Sequence, residues 1–208
     1  MGEGLNQRTE CTAVHDDGTG PALYFAGAFT QAGANTCYRV AAWHRCSTPI
    51  DTLCAGDGTL AACPCPPSGN SGNGCPNSLN PGGARLTVAG SPSADDLVLN
   101  ATQMLPSTVC LFFQGDAQLV SSFASGDGLR CTGGQMRRMY QKYASLGAAT
   151  APEVGDLSLG ARASALGDIL MPGSVRFYQV YYRDPNPGFC AEPTGNTWNL
   201  TNGARVVW

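Results

Sequence analysis

Val175-Arg176-Phe177-Tyr178-Gln179-Val180-Tyr181-Tyr182-Arg183 is the stretch on which the fold class turns. β-Branched and aromatic residues dominate it, which favours a pleated strand over a helix. Aromatic side chains fall on both of its alternating faces, so the strand is expected to lie centrally, covered on each side. Outward from it, shorter strands are expected at 84–89, 96–101, 109–114, 118–123, 135–140, 157–163, 197–200 and 205–208. Turn signals separate them: Gly90-Ser91-Pro92, Leu105-Pro106-Ser107, Gly126-Asp127-Gly128, Met171-Pro172-Gly173 and Asn202-Gly203. Strands at this spacing predict an all-β sandwich or barrel. The sole helix candidate is 136–146, where Met139, Tyr143 and Leu146 stand at helical spacing between glycine-rich flanks.

Composition agrees with that class. Gly (27) and Pro (14) are abundant in the 208 residues, charged residues make up only 13%, and Lys142 is the single lysine. Long surface helices want more Glu, Lys and Arg than this. Net charge is -3, and Arg137-Arg138 is the only adjacent basic pair, so no nucleic-acid partner is expected. The longest apolar runs, such as Leu111-Phe112-Phe113, fall far short of the roughly 20 residues a membrane span needs.

Ten cysteines fit five disulfides by count, without fixing their pairing. Metal binding is the rival. The cluster Cys54, Cys63-Pro64-Cys65 and Cys75 has the spacing of no zinc finger or ribbon, and no C-x-x-C-H motif is present. Disulfides imply an oxidising compartment and hence an extracellular or cell-surface protein. Met1-Gly2-Glu3-Gly4-Leu5-Asn6 has neither the basic nor the apolar region of an export signal. A signal further upstream, in a longer precursor, is therefore expected.

Three zones follow along the chain. Residues 1–46 carry a β pattern, with Ala22-Leu23-Tyr24-Phe25 and Tyr38-Arg39-Val40-Ala41-Ala42-Trp43 around a Gly-containing loop. Residues 47–82 form a Cys, Pro, Gly, Ser and Asn-rich connector with little aliphatic content. Such a segment cannot order itself by burying apolar surface, and cross-links would take over that role. Residues 83–208 hold the strands of the expected disulfide-stapled β-sandwich or jelly-roll-like domain, to which the first zone is a short N-terminal β appendage.

Two resemblances add to this. Asp16-Asp17-Gly18-Thr19-Gly20-Pro21-Ala22-Leu23-Tyr24-Phe25-Ala26-Gly27-Ala28-Phe29-Thr30, with Ala32-Gly33 and Arg39-Val40-Ala41-Ala42-Trp43, resembles one repeat of a secreted β-propeller family. Ala26 and His44 depart from the glycine and aspartate usual there, as in a terminal repeat. One repeat cannot close a propeller, so the resemblance implies the last blade of a longer protein. From Cys63 to Trp208, the ordered motifs Cys63-Pro64-Cys65, Gly74-Cys75-Pro76-Asn77-Ser78, Phe113-Gln114-Gly115, Gly126-Asp127-Gly128-Leu129-Arg130-Cys131, Phe189-Cys190 and Asn199-Leu200-Thr201-Asn202-Gly203 resemble a C-terminal domain of secreted planctomycete-type bacterial proteins. That family implies a location and an architecture, and no reaction. Against its pattern Cys110, Cys11, Cys37 and Cys46 are extra, and an added bridge through Cys110 stays open. Cys131 is expected to pair with Cys190, and Cys54, Cys63, Cys65 and Cys75 among themselves.

Catalytic constellations are sparse. His15 and His44 are the only imidazoles, no G-x-S-x-G elbow exists, and the glutamates are Glu3, Glu10, Glu153 and Glu192. His44 with Cys46 could bind copper or form a thiol–imidazole couple, although a disulfide cysteine beside a blade-end histidine explains the pair better. Acidic turns at Asp57 and Asp127, with Asp16-Asp17 and Asp95-Asp96, raise calcium as the one cofactor to consider. None has EF-hand spacing, and turn chemistry accounts for them. Asn100-Ala101-Thr102 and Asn199-Leu200-Thr201 match the N-glycosylation triplet, which usually has no meaning in a bacterial protein.

Three readings of function remain. The first is a non-catalytic extracellular module for surface attachment or display, with a protein or glycan partner. The second is a carbohydrate-binding module, with Tyr178, Tyr181, Tyr182, Trp198 and Trp208 as a stacking platform unless they belong to the core. The third is a secreted hydrolase of polysaccharide or ester, which requires an opposed carboxylate pair that the sequence does not nominate.

Overall fold

The computed structural model describes residues 4–16, 21–44, 50–190 and 195–208. Glu3, Asp17, Cys46 and Glu192, weighed above, lie outside the described residues. The chain falls into two units, Met1–Thr48 and Pro49–Trp208.

In the first unit, β1 (Thr9–Asp16), β2 (Pro21–Gly27), two-residue β3 (Gln31–Ala32) and β4 (Asn35–Thr36), and β5 (Val40–His44) follow one another. β1, β2 and β5 make an antiparallel three-stranded sheet, and β3 pairs with β4. Phe29, between β2 and β3, is fully buried. Val14, Leu23 and Trp43 stand opposite one another across the three strands, and all three are exposed.

The second unit runs β6 (Ile50–Leu53), β7 (Arg85–Ala89), β8 (Val98–Thr102), β9 (Val109–Gly115), β10 (Ala117–Ser125), β11 (Gly128–Gly133), β12 (Arg137–Tyr143), β13 (Ala149–Ala151), α1 (Leu159–Ala165), β14 (Val175–Arg183), β15 (Trp198–Leu200) and β16 (Gly203–Val207). It is all-β, with open sheets and disulfide staples. The main sheet has the order β12-β9-β14-β16-β6, with β15 also paired to β14. A second sheet, β13-β8-β7, packs over one face of it.

The alternation in 175–183 explains that arrangement. Tyr178, Val180 and Tyr182 are each fully buried in the inter-sheet core, among Phe112, Leu86, Leu99 and Val206. The opposite side of β14 presents Phe177, Gln179 and Tyr181, and there the β10–β11 hairpin lies over the sheet. The strand is thus covered on both faces, as its aromatic content requires.

The helix and one strand exchange places relative to the expectation. Residues 157–163 were expected as strand, yet Leu159–Ala165 is the α-helix. Ser158 caps it, its hydroxyl accepting from Ala161 N at 3.2 Å. Leu159 and Ala163, one turn apart, face the core, and Gly167 at φ +78° follows the last turn. Residues 136–146, the expected helix candidate, contain strand β12. A bulge between Arg138 and Tyr140 turns Met139 and Tyr140 inward together. Tyr143 and Leu146, which share helical spacing with Met139, are both exposed, so that spacing marks no buried face.

The stretch 47–82 is no free connector where it is described, from residue 50 onward. β6 pairs with β16 inside the main sheet, and the following loops pack against one another through glycines. Gly83, at φ +77°, has its Cα so close to the Gly74 carbonyl that a β-carbon would lie 2.0 Å from the oxygen. No side chain fits there.

Bridging differs in part from the expectation. Cys63 pairs with Cys75 inside the 54–75 cluster, as expected, but Cys131 pairs with Cys54 rather than Cys190, and Cys190 pairs with Cys65. Cys54 and Cys65 reach out of the connector because their loops lie against β11 and the turn at 187–189. Instead of five bridges, the described residues hold three, with Cys11, Cys37 and Cys110 as free thiols. Cys110 sits inside the core and its thiol donates to the Lys142 carbonyl.

Candidate functional site

The side of the main sheet left partly bare by the β10–β11 hairpin forms a groove of about 260 Å³. Its floor is set by strand alternation. Gln141, Leu111, Tyr181 and Leu200 line up across β12, β9, β14 and β15, and Arg138 stands opposite Phe113. Leu111, Phe113, Met136, Tyr181, Trp198 and Leu200 provide apolar lining, joined by Ser125, Arg130, Arg137 and Arg138. Tyr181 and Trp198 meet with ring centroids 5.2 Å apart and planes tilted by 36°. That lies within the range of favourable aromatic pairs.

The hairpin wall is held from below. Buried Gln179 donates from Nε2 to the carbonyls of Leu129 and Thr201, each at 2.7 Å, and its Oε1 accepts from Cys131 N at 3.3 Å. The Cys54–Cys131 bridge ties the same hairpin to the end of β6, within a small core of Cys54, Cys63, Cys75, Leu129 and Cys131. A groove whose walls are fixed in this way pays little ordering entropy when it binds.

The five aromatic residues read as a platform therefore separate. Tyr178 and Tyr182 are core residues, which corrects their assignment as ligand contacts: even-numbered positions of β14 point between the sheets. Trp208 packs at the edge of that core, beside Ile169 and Leu170. Only Tyr181 and Trp198 come together at the groove. The sequence signal that could have separated them was the period of two along 175–183.

The arginines differ in their ties. Arg137 is drawn toward Asp168 at 3.5 Å, and Arg130 Nε donates to the Thr132 carbonyl at 3.0 Å. Arg138 is exposed and makes no hydrogen bond or ion pair among the described residues. No carboxylate stands among the described lining residues of the groove.

Elsewhere the carboxylates serve the scaffold. Asp168 is gripped by Arg176 through Nε at 2.8 Å and a terminal nitrogen at 2.7 Å, and it accepts from Gln114 at 2.5 Å. Gln114 in turn accepts from the Tyr178 hydroxyl at 2.9 Å. The Arg176 guanidinium holds the Asp168 carboxyl below the usual carboxylate range. Asp57 accepts from the amide and hydroxyl of Thr59, Asp95 from Ser158 and Gly160, and Asp96 from Ser91. Asp57 and Asp96 are thus satisfied by local donors, in keeping with turn chemistry, whereas Asp95 ties its turn to the start of α1, more than sixty residues away in sequence.

Asp127 is the exception. Oδ1 accepts from Asn196 N at 2.7 Å, but the buried Oδ2 has no hydrogen-bond partner, and burial pushes this carboxyl above its ordinary range. The sulfurs of Cys65 and Cys190 lie within 4.8 Å of it. They are joined in a disulfide, so the trio offers no thiolate to a metal ion. Asn199, in one of the two glycosylation triplets, is fully buried and donates to the Pro76 carbonyl.

Comparison with known proteins yields no matching family model, no similar curated protein and no matching solved structure.

Proposed function

We propose that this protein is a non-catalytic attachment module of the cell exterior, which holds a glycan in the Tyr181–Trp198 groove. The observation that carries this reading is the aromatic pair itself, set on a hairpin-walled floor that is fixed by Gln179 and by the Cys54–Cys131 bridge. Tilted aromatic faces beside a few polar groups are what an open sugar-binding surface requires: apolar area for the C–H faces and donors for the hydroxyls. Three disulfides support an oxidising location, and among the described residues no helix is long and apolar enough to cross a membrane. Recognition is favoured over hydrolysis because the described groove lining brings no carboxylate to a bound sugar. The first unit is read as an appended blade-like repeat, on the resemblance of its sequence.

Pull-down on insoluble polysaccharides tests this. The wild-type chain should be retained on at least one, and Trp198→Ala and Tyr181→Ala should each reduce retention at a temperature well below the variant's own melting transition. Retention on none would favour a protein partner in its place.

A further inference from the structure

We infer that the groove takes an acidic glycan, a polysaccharide built of uronate sugars. The inference rests on the glycan reading above and adds the charge of the ligand. It starts from a mismatch between the whole molecule and this one surface. The chain carries 15 acidic residues against 12 basic ones, yet the described lining of the groove gathers Arg130, Arg137 and Arg138 and no carboxylate, with Asp168 drawn to Arg137 from outside that lining. Field lines from like charges in such a cleft concentrate, and they attract anions.

The three cations play different parts. Arg137 is engaged with Asp168 and steadies the edge of the sheet. Arg130 reaches the groove from the hairpin wall with its Nε anchored on Thr132. Arg138 lies on the opposite side, exposed beside Phe113, with no ion-pair partner among the described residues. A guanidinium presents a planar fork that matches a carboxylate in two parallel hydrogen bonds.

Between these charges the wall is apolar and aromatic, which fixes the class of anion further. A ligand here must offer flat C–H surface to Tyr181 and Trp198 and bring its negative charge to the rim. Uronate sugars do both, with one carboxylate on each ring. Heavily sulfated chains carry more charge than the groove's few cations can match, and a free inorganic anion would leave the aromatic pair without a contact.

Titration of the intact chain with polygalacturonate, with its fully methyl-esterified form and with dextran sulfate tests the inference. Polygalacturonate should bind, weaken as salt is raised, and bind at least about tenfold more tightly than the ester. Arg138→Gln should lower that affinity about tenfold, with Arg138→Lys recovering part of it, while neither change moves the melting temperature. Equal binding of acid and ester overturns the inference and leaves the glycan reading intact. Tighter binding of dextran sulfate overturns the choice of carboxylate. Binding of no polysaccharide, or binding indifferent to Trp198→Ala, overturns the glycan reading itself.

Discussion

The indole of Trp198 rests on Gly126: a β-carbon at position 126 would stand 2.6 Å from Cδ2 and from Cε3 of the ring. Gly126 and Asp127 are the two residues that turn the hairpin between Ser125 and Gly128, with Gly126 at φ +66°. The Gly-Asp-Gly turn therefore does more than reverse the chain. It supplies the seat that sets the tilt of Trp198 against Tyr181.

Gly126→Ala should displace the indole and open the pair. Expected outcomes are a shift in tryptophan fluorescence and weaker glycan retention, together with a stability loss of about 1 kcal/mol from the left-handed φ. Unchanged fluorescence would mean that the turn does not position the ring.

Asp168→Asn should destabilise the second unit by roughly 3 kcal/mol, because it strips Arg176 of its partner inside a mostly buried network. The carboxyl is held low in the folded state, so its contribution is present above the ordinary carboxylate range and is lost as pH falls through the folded value. Chemical denaturation at neutral pH and at pH 3 should show the wild-type advantage shrinking in acid.

Asp127 titrates with the opposite sense. Burial raises its carboxyl, so it favours the fold below the ordinary carboxylate range and loses that advantage as pH rises through the folded value. Asp127→Asn keeps the acceptor for Asn196 and removes the ionisation. Between pH 4 and pH 8 the variant should gain stability relative to wild type; a constant difference across that window would show the group to be neutral in its effect.

Among the described residues six cysteines are bridged, so of the ten in the chain no more than four should appear as thiols in the denatured, unreduced protein. In the folded protein Cys11 should react readily, being exposed, whereas Cys110 should resist alkylation. Cys110 is buried, and burial pushes its thiol up to about 11. Native-state labelling of Cys110 on the timescale of Cys11 would contradict its place in the core.

The bridges should differ in their effect on stability. Cys54–Cys131 closes a separation of 77 residues and Cys63–Cys75 one of 12. In the chain-entropy picture that corresponds to about 4.5 against about 3 kcal/mol. Paired Cys→Ser variants compared by thermal melting should rank in that order, and the Cys54/Cys131 variant should also lose glycan binding by freeing the hairpin wall.

Residues 175–183 made the all-β class legible without coordinates, because the preference of their side chains for a pleated, doubly covered surface is local. The tight turns were legible for the same reason: glycine and aspartate report their own backbone needs. The helix at Leu159–Ala165 and the strand at Arg137–Tyr143 were not, since a seven-residue helix carries little periodic signal and the helical spacing of Met139, Tyr143 and Leu146 belongs to one buried and two exposed side chains. Cysteine content announced covalent staples, but which sulfurs meet depends on how residues 50–82 fold back on β11 and on the turn at 187–189, a matter of distant chain segments. The groove belongs to the same class of fact. Tyr178 and Tyr181 are near neighbours of like chemistry, and only the packing of a second sheet on one face of β14 sends one into the core and leaves the other beside Trp198.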